Sequence, residues 1–345
     1  MSNEMMYSSR QLVKVLDDLV VPHTFLLDRY FPDVHNFTDE KIDFDVVTKG
    51  KKLAPFVSPV VQGQVRKDRG FTTTTFEPAY VKPKHVLDPT KPFKRRAGER
   101  IGGDMTPQAR HDAAVAQLLS DERDEILRRL EWMAAQALVF GKYTVEGENY
   151  PKTEVDFGRP VGQTLTLLTT DRWGETGVEP LDDIETWATT VSNECGGVIR
   201  DVIFDPLAWQ LARKSQKLLD ALDNRRQASG NVELGPIQLP RSLTSARYVG
   251  SIGDFDFWVY NDTYEDESGV QQKMIPDYAV ILAGPDLEGV RAFGAIRDPK
   301  AGYQSVDIYP KMWEMDDPAV VFLMSQSAPL IIPSRPSASF CAIVR

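Results

Sequence analysis

TPQARHDAAVAQLLSDERDEILRRLEWMAAQALVFG, residues 106–141, is the stretch on which the reading of the fold turns. Thr106 is a good N-cap, and Pro107 stands at the first helical position, where a missing N–H does no harm. Val115, Leu119, Ile126, Leu130, Met133, Ala137 and Phe140 recur at threes, fours and one seven, which places them on one stripe of a 3.6-residue helix. Asp112, Asp121, Glu122, Arg123, Asp124, Arg128 and Arg129 fall mostly off that stripe, and Gly141 sits where a glycine closes a last turn. The spacing predicts one unbroken helix over 106–140, roughly 50 Å long at about 1.5 Å per residue. One apolar stripe opposite a polar side implies a helix lying across a surface instead of inside a core. No a/d heptad continues beyond this segment, which argues against a coiled-coil arm.

Upstream, Leu12, Val13, Leu16, Leu19 and Val20 share one side of a short helix over 9–20, which Pro22 stops. Phe25, Leu26, Leu27, Tyr30 and Phe31 then form a dense apolar knot that needs cover, from the chain's own core or from a neighbouring subunit. Ile42, Phe44 and Val46 alternate with Asp43, Asp45 and Val47, a half-buried strand pattern. Between residues 51 and 100 the character changes. The runs 56–61 and 71–76 are rich in valine and threonine, and Gly63, Asp68 and Gly70 supply turn chemistry between them. Pro83, Pro89 and Pro92 follow among basic residues. This predicts a long two-stranded hairpin with an extended return, projecting from the body. An isolated hairpin is marginal in water, so a projecting one implies a partner to lie on.

Downstream, 143–157 reads as two strands about a Glu-Gly-Glu-Asn turn, and 158–177 as a further strand and loop. Pro180, Asp182 and Asp183 open a helix, 198–204 is a buried strand, and Asp205 with Pro206 starts a helix running to Leu222. Phe255, Phe257 and Val259 mark a strand, 265–269 a hairpin tip, and 278–282 a buried strand, so 180–307 is a compact α/β mixture. Residues 320–332 return as a last β-rich segment, expected alongside the strand after the long helix.

The composition, 42% hydrophobic and 26% charged over 345 residues, is that of a globular protein. There is no apolar run of membrane-spanning length and no basic-then-apolar signal pattern, so neither a membrane span nor secretion by that route is expected. Cys195 and Cys341 lack metal-ligand spacing and are too few for a disulfide framework. A net charge of −10 argues against a surface that coats nucleic acid. Lys82, Lys84, Lys91, Lys94, Arg95, Arg96 and Arg100 nevertheless cluster, either as a nucleic-acid patch or, as favoured here, a solvated arm pairing with acidic neighbours. His23, His35, His85 and His111 are scattered, and no HExxH, GxSxG or phosphate-cradling glycine loop occurs. The acidic pairs Asp182/Asp183, Asp254/Asp256 and Asp316/Asp317 read as a cap, a strand face and a turn. No catalytic, metal or cofactor site is expected. The parts read instead as a unit built for assembly.

Their order resembles the lambda-like major capsid protein (gpE-type) family of tailed bacteriophages. The matching residues are 22–31, Phe37-Thr38 with Glu40-Lys41, Val57-Ser58-Pro59-Val60-Val61, Arg69-Gly70 and Tyr80-Val81-Lys82-Pro83-Lys84-His85. Beyond the helix they are Gly141-Lys142-Tyr143-Thr144, Val155-Asp156-Phe157-Gly158-Arg159, Phe204-Asp205-Pro206, Tyr309-Pro310-Lys311, Trp313, Asp317-Pro318 and Gln326-Ser327-Ala328-Pro329-Leu330. Their collinearity carries the resemblance.

It implies the Hong Kong 97-type capsid fold, of α+β class. Its expected parts are an N-terminal arm and first strand at 1–48, an extended loop at 49–103, and a peripheral domain at 104–179 with spine helix 106–140. An axial domain follows at 180–307, then a C-terminal return to the peripheral domain at 308–345. The implied function is a structural head protein whose hexamers and pentamers form an icosahedral shell around double-stranded DNA, assembled in the host bacterial cytoplasm. An encapsulin-like compartment shell is the alternative. The implied partners are further copies, a separate scaffolding protein, a portal and a decoration protein. Expected contacts between copies are Phe25, Leu26, Tyr30, Phe31, Phe56, Phe71, Phe76, Tyr80, Lys82, Lys84, Arg95 and Arg96.

Overall fold

The computed structural model describes residues 6–19, 24–39, 41–47, 71–87, 105–147, 150–222, 225–228, 231–234, 245–266, 268–316 and 319–345. The expected long helix is Pro107–Phe140, with Thr106 Oγ1 accepting from the Ala109 amide at 3.2 Å and Gly141 closing it at φ 68°. Val115, Leu119, Ile126, Leu130, Met133 and Ala137 are buried as the stripe requires, whereas Phe140 is 43% exposed. The last turns depart from a surface helix, because Glu131, Ala134, Ala135, Leu138 and Val139 are buried as well. The helix Phe25–Tyr30, the strand Pro329–Pro333 and the strand Lys142–Gly147 pack against the long helix and share its core. Arg159 folds over the terminus and donates to the carbonyls of Leu138 and Val139, a cation on the negative end of the helix dipole. Burial pushes that guanidinium down to about 10. A Cβ at position 141 would lie 2.7 Å from Arg159 Cβ, so both the turn and the close approach call for glycine.

The centre is a six-stranded mixed sheet in the order Ala246–Ile252, Phe255–Tyr260, Asp201–Phe204, Ala279–Ala283, Phe340–Ile343, Thr164–Thr166. Period-two alternation splits its side chains between two cores. Val202, Phe204, Phe257, Val259, Val280, Leu282, Phe340 and Ala342 pack with the helices Pro180–Cys195, Pro206–Ala212 and Gln216–Ala221. Ile203, Trp258, Tyr260, Ile281, Ala283 and Cys341 pack with the long helix and Phe25–Tyr30. The predicted helix from 206 to 222 is thus two helices, because Ser215 caps anew, accepting from the Leu218 amide at 3.2 Å. The C-terminal return also divides, since its final strand Phe340–Ile343 belongs to the central sheet.

Residues 320–332 likewise split. Ala319–Gln326 pairs with Tyr309–Asp316 and Lys84–Leu87, and Pro329–Pro333 pairs with Gly289–Phe293, which also carries Asp33–Asn36. Pro329 has no N–H to continue the first ladder. The hairpin of Lys142–Gly147 with Tyr150–Asp156 forms no ladder with this segment; Tyr143 Oη donates to the Ile331 carbonyl at 3.4 Å instead. Of the predicted hairpin between 56–61 and 71–76, the strand Phe71–Phe76 forms and pairs with Ile42–Val47, and 56–61 lies outside the described residues. The described part of the return, 81–87, is anchored, with Val81 bridged to Ser327 and Lys84–Leu87 paired to Ala319–Gln326, and 88–100 lies outside the described residues.

Candidate assembly surfaces

The apolar knot obtains its cover from its own chain. Thr24 offers the helix Phe25–Tyr30 no side-chain cap. The carboxylate of Glu131, reaching from the long helix, accepts from the Leu26 and Leu27 amides at 2.9 and 2.8 Å and from Tyr260 Oη at 2.8 Å. It therefore does the work of an N-cap from a distant part of the chain. Burial pushes this carboxyl up to about 7. Arg29 grips Asp201 with Nε and Nη2 at 2.8 and 2.6 Å, while Tyr30 Oη and Trp258 Nε1 donate to the same carboxylate. At the other end of the short helix, Arg291 donates to the carbonyls of Phe31 and Leu27. Phe25, Leu26, Tyr30 and Phe31, expected between copies, are therefore at most 7% exposed and sit inside the first core. With the long helix and Trp258 already over them, they offer no surface to a neighbour. Glu131 escaped the sequence reading, although it is the lone charged residue between 130 and 141, a signal that could have marked it.

The base of the loop is built differently. Phe76 is half-buried against the same core, and Phe71 lies on the strand opposite Val47. Tyr80 Oη donates to the Ala295 carbonyl at 2.5 Å and accepts from the Arg297 amide at 2.9 Å. Lys82 Nζ lies 4.7 Å from the Tyr80 ring centroid, and Lys84 Nζ 4.1 Å from that of Phe322. Phe56, Arg95 and Arg96 lie outside the described residues.

Several of the titratable groups weighed for chemistry have structural partners. Glu122, fully buried, accepts from Ser325 Oγ at 2.6 Å and lies 3.2 Å from His85 Nδ1, tying the returning strand to the long helix. Asp183 accepts from Trp173 Nε1 at 2.8 Å, and Asp182 pairs with Lys217. Among the described residues no group of His, Cys, Asp and Glu could hold a metal ion, and no helix is long and apolar enough to cross a membrane. The cleft beside Tyr80, Arg297 and Tyr303 holds about 150 Å³, below the roughly 300–1,000 Å³ of small-molecule sites.

What the geometry offers is a braced α+β body with a loop fastened at its base. That architecture has a solved counterpart. It matches the crystal structure of an Escherichia coli CFT073 prophage protein assigned to the capsid, with a TM-score of 0.78 and 24% identity, covering 98% of this chain and 99% of that one. The sequence narrows the class. Residues 8–344 match the family described as phage major capsid protein E. The chain is 32% identical over 338 residues to the major capsid protein of Escherichia phage lambda, covering 96% of this chain and 97% of that one. It is equally 32% identical over 337 residues to that of Escherichia phage N15, covering 96% of each. The chain belongs to the phage major capsid protein E family.

Proposed function

We propose that this protein is the structural subunit of a phage head, working in the virion by repetition and not by catalysis. The observation that carries the reading is collinearity: one capsid family spans residues 8–344. Copies close into hexamers and pentamers through head-to-tail contacts of the 180–307 region, the axial domain of a Hong Kong 97-type shell. The long helix and the sheets at its flank form the peripheral domain. The loop between Ile42–Val47 and Phe71–Phe76 lies across a neighbouring copy, where burying Phe56 contributes more than exposed ion pairs worth about 0–1 kcal/mol each. A separate scaffolding protein shapes the shell, a portal occupies one vertex, and a decoration protein binds outside. The net charge of −10 keeps packaged duplex DNA from adhering to the wall.

The test is electron microscopy of the subunit expressed with and without its neighbouring head proteins. Shells that require a scaffold support the reading; particles that form alone around a peptide-tagged cargo enzyme favour an encapsulin-like compartment. Replacing residues 50–68 by a short turn leaves both paired strands intact. That variant should remain soluble and fail to make stable shells, and normal shells from it would remove the loop from the mechanism.

A further inference from the structure

His85, on the strand Lys84–Leu87, has a carboxylate at each ring nitrogen. Nδ1 lies 3.2 Å from Glu122 Oε1 and Nε2 lies 3.7 Å from Glu125 Oε1, both reaching from the long helix. The two glutamates are three positions apart, so one helix face presents them together. Glu122 is fully buried, with its other oxygen accepting from Ser325 Oγ at 2.6 Å, whereas Glu125 is exposed. A neutral imidazole carries one N–H and one lone pair, so here its bare nitrogen would face a carboxylate oxygen. Only the imidazolium suits both neighbours. Histidine ordinarily changes charge at about pH 6.5, within reach of small shifts in conditions.

The surroundings set nothing else against the ring. On the same sheet face Ala319–Gln326 presents Val321, Leu323 and Ser325, none of them charged, and the strand beyond carries the exposed Glu314 opposite Val321. On the long helix Arg123 donates to the Leu16 carbonyl and Arg129 lies over the Trp132 ring. The helix Ser9–Asp18, which shares a core with Leu87, keeps Arg10, Lys14, Asp17 and Asp18 exposed. Among the described residues, the charges within ion-pair distance of His85 are the two carboxylates. Burial pushes the Glu122 carboxyl above its ordinary value, and the bonds from Ser325 and His85 hold it down in part. The strand itself is an edge, with Ala319–Gln326 as its one ladder partner among the described residues. Its attachment across the packed face comes from the long helix.

We infer that His85 is a pH-sensitive clasp between this edge strand and the long helix. With both nitrogens protonated, the ring ties Lys84–Leu87 to Glu122 and Glu125. Loss of one proton turns one contact from attraction to repulsion, leaves the buried Glu122 without a cation, and loosens the strand. The clasp therefore holds on the acid side and is lost as pH rises through the titration of the ring. Glu122 acts in the same direction, because a raised acid also loses its contribution as pH rises.

The clasp lies within one folded chain, so hydrogen exchange on unassembled subunits reads it. The amides at 85 and 87 fall in phase with the bonded Val81–Ser327 pair and so donate across the ladder. Their protection factors, corrected for the intrinsic pH dependence of exchange, should fall roughly 10-fold between pH 6 and pH 8 relative to those of the inner strand Asp201–Phe204. His85→Gln, which keeps a donor but does not titrate, should flatten that profile to within about 2-fold. Glu125→Gln, at an exposed position, should reduce the fall to roughly 3-fold. Nitrogen-15 shifts of the ring should show both nitrogens protonated at pH 6. A flat wild-type profile, a slope that survives His85→Gln, or a ring already neutral at pH 6 overturns the clasp. So does a fall shared equally by the amides of Asp201–Phe204, which would report loosening of the whole subunit and not of this strand.

Discussion

Replacing Glu131 by alanine tests whether a carboxylate buried in the long helix holds the N-terminal segment in place. Three donors converge on it: the Leu26 amide at 2.9 Å, the Leu27 amide at 2.8 Å and Tyr260 Oη at 2.8 Å. All three are stranded in the core by Glu131→Ala, and each unsatisfied buried donor costs about 1–3 kcal/mol. Allowing for partial relaxation, the loss near pH 5 should be about 3–6 kcal/mol. The pH dependence has a definite sign. Burial raises the carboxyl from 4.5 to about 7 in the folded chain. A raised acid contributes stability that is fully present below its unfolded value and is lost as pH rises through its folded one. Over that window the wild-type chain should lose up to about 3 kcal/mol that the alanine variant does not. The gap between the two should therefore narrow between pH 5 and pH 8. Urea unfolding of unassembled subunits at several pH values measures the gap, and hydrogen exchange at the Leu26 and Leu27 amides localises it. A gap below about 1 kcal/mol, or one that widens with pH, would refute the role given to this carboxylate.

Further expectations follow from the same geometry. Arg29→Ala leaves Asp201, 4% exposed, without its cation and should lower the urea-derived stability by about 3–5 kcal/mol. Gly289→Ala sets a Cβ 2.1 Å from the Tyr30 carbonyl oxygen, so the short helix should be displaced and limited proteolysis should cut ahead of residue 33. Glu122→Ala removes the acceptor of Ser325 Oγ and the partner of His85, and calorimetry should register a loss of about 2–3 kcal/mol. Purified subunits should bind duplex DNA weakly; tight binding that collapses with added salt would contradict an acidic wall.

What the residues determined by themselves was local. The capping pair Thr106-Pro107, the stripe from Val115 to Ala137 and the closing Gly141 prescribe the long helix to within a residue, because each signal acts within a few positions along the chain. The alternation through Phe257, Trp258 and Val259 likewise announces a strand with two faces. Collinear motifs carried the family, as no single one did. The tertiary structure alone decided which surface covers which. A dense run such as Phe25 to Phe31 states that cover is needed but not who provides it, and here the long helix and Trp258 do so in place of a neighbour. Glu131 became a cap only when folding carried it to amides more than a hundred positions away. The strands Phe71–Phe76 and Phe340–Ile343 found partners in Ile42–Val47, Ala279–Ala283 and Thr164–Thr166, pairings that strand pattern leaves open, since any exposed edge satisfies the same hydrogen bonds.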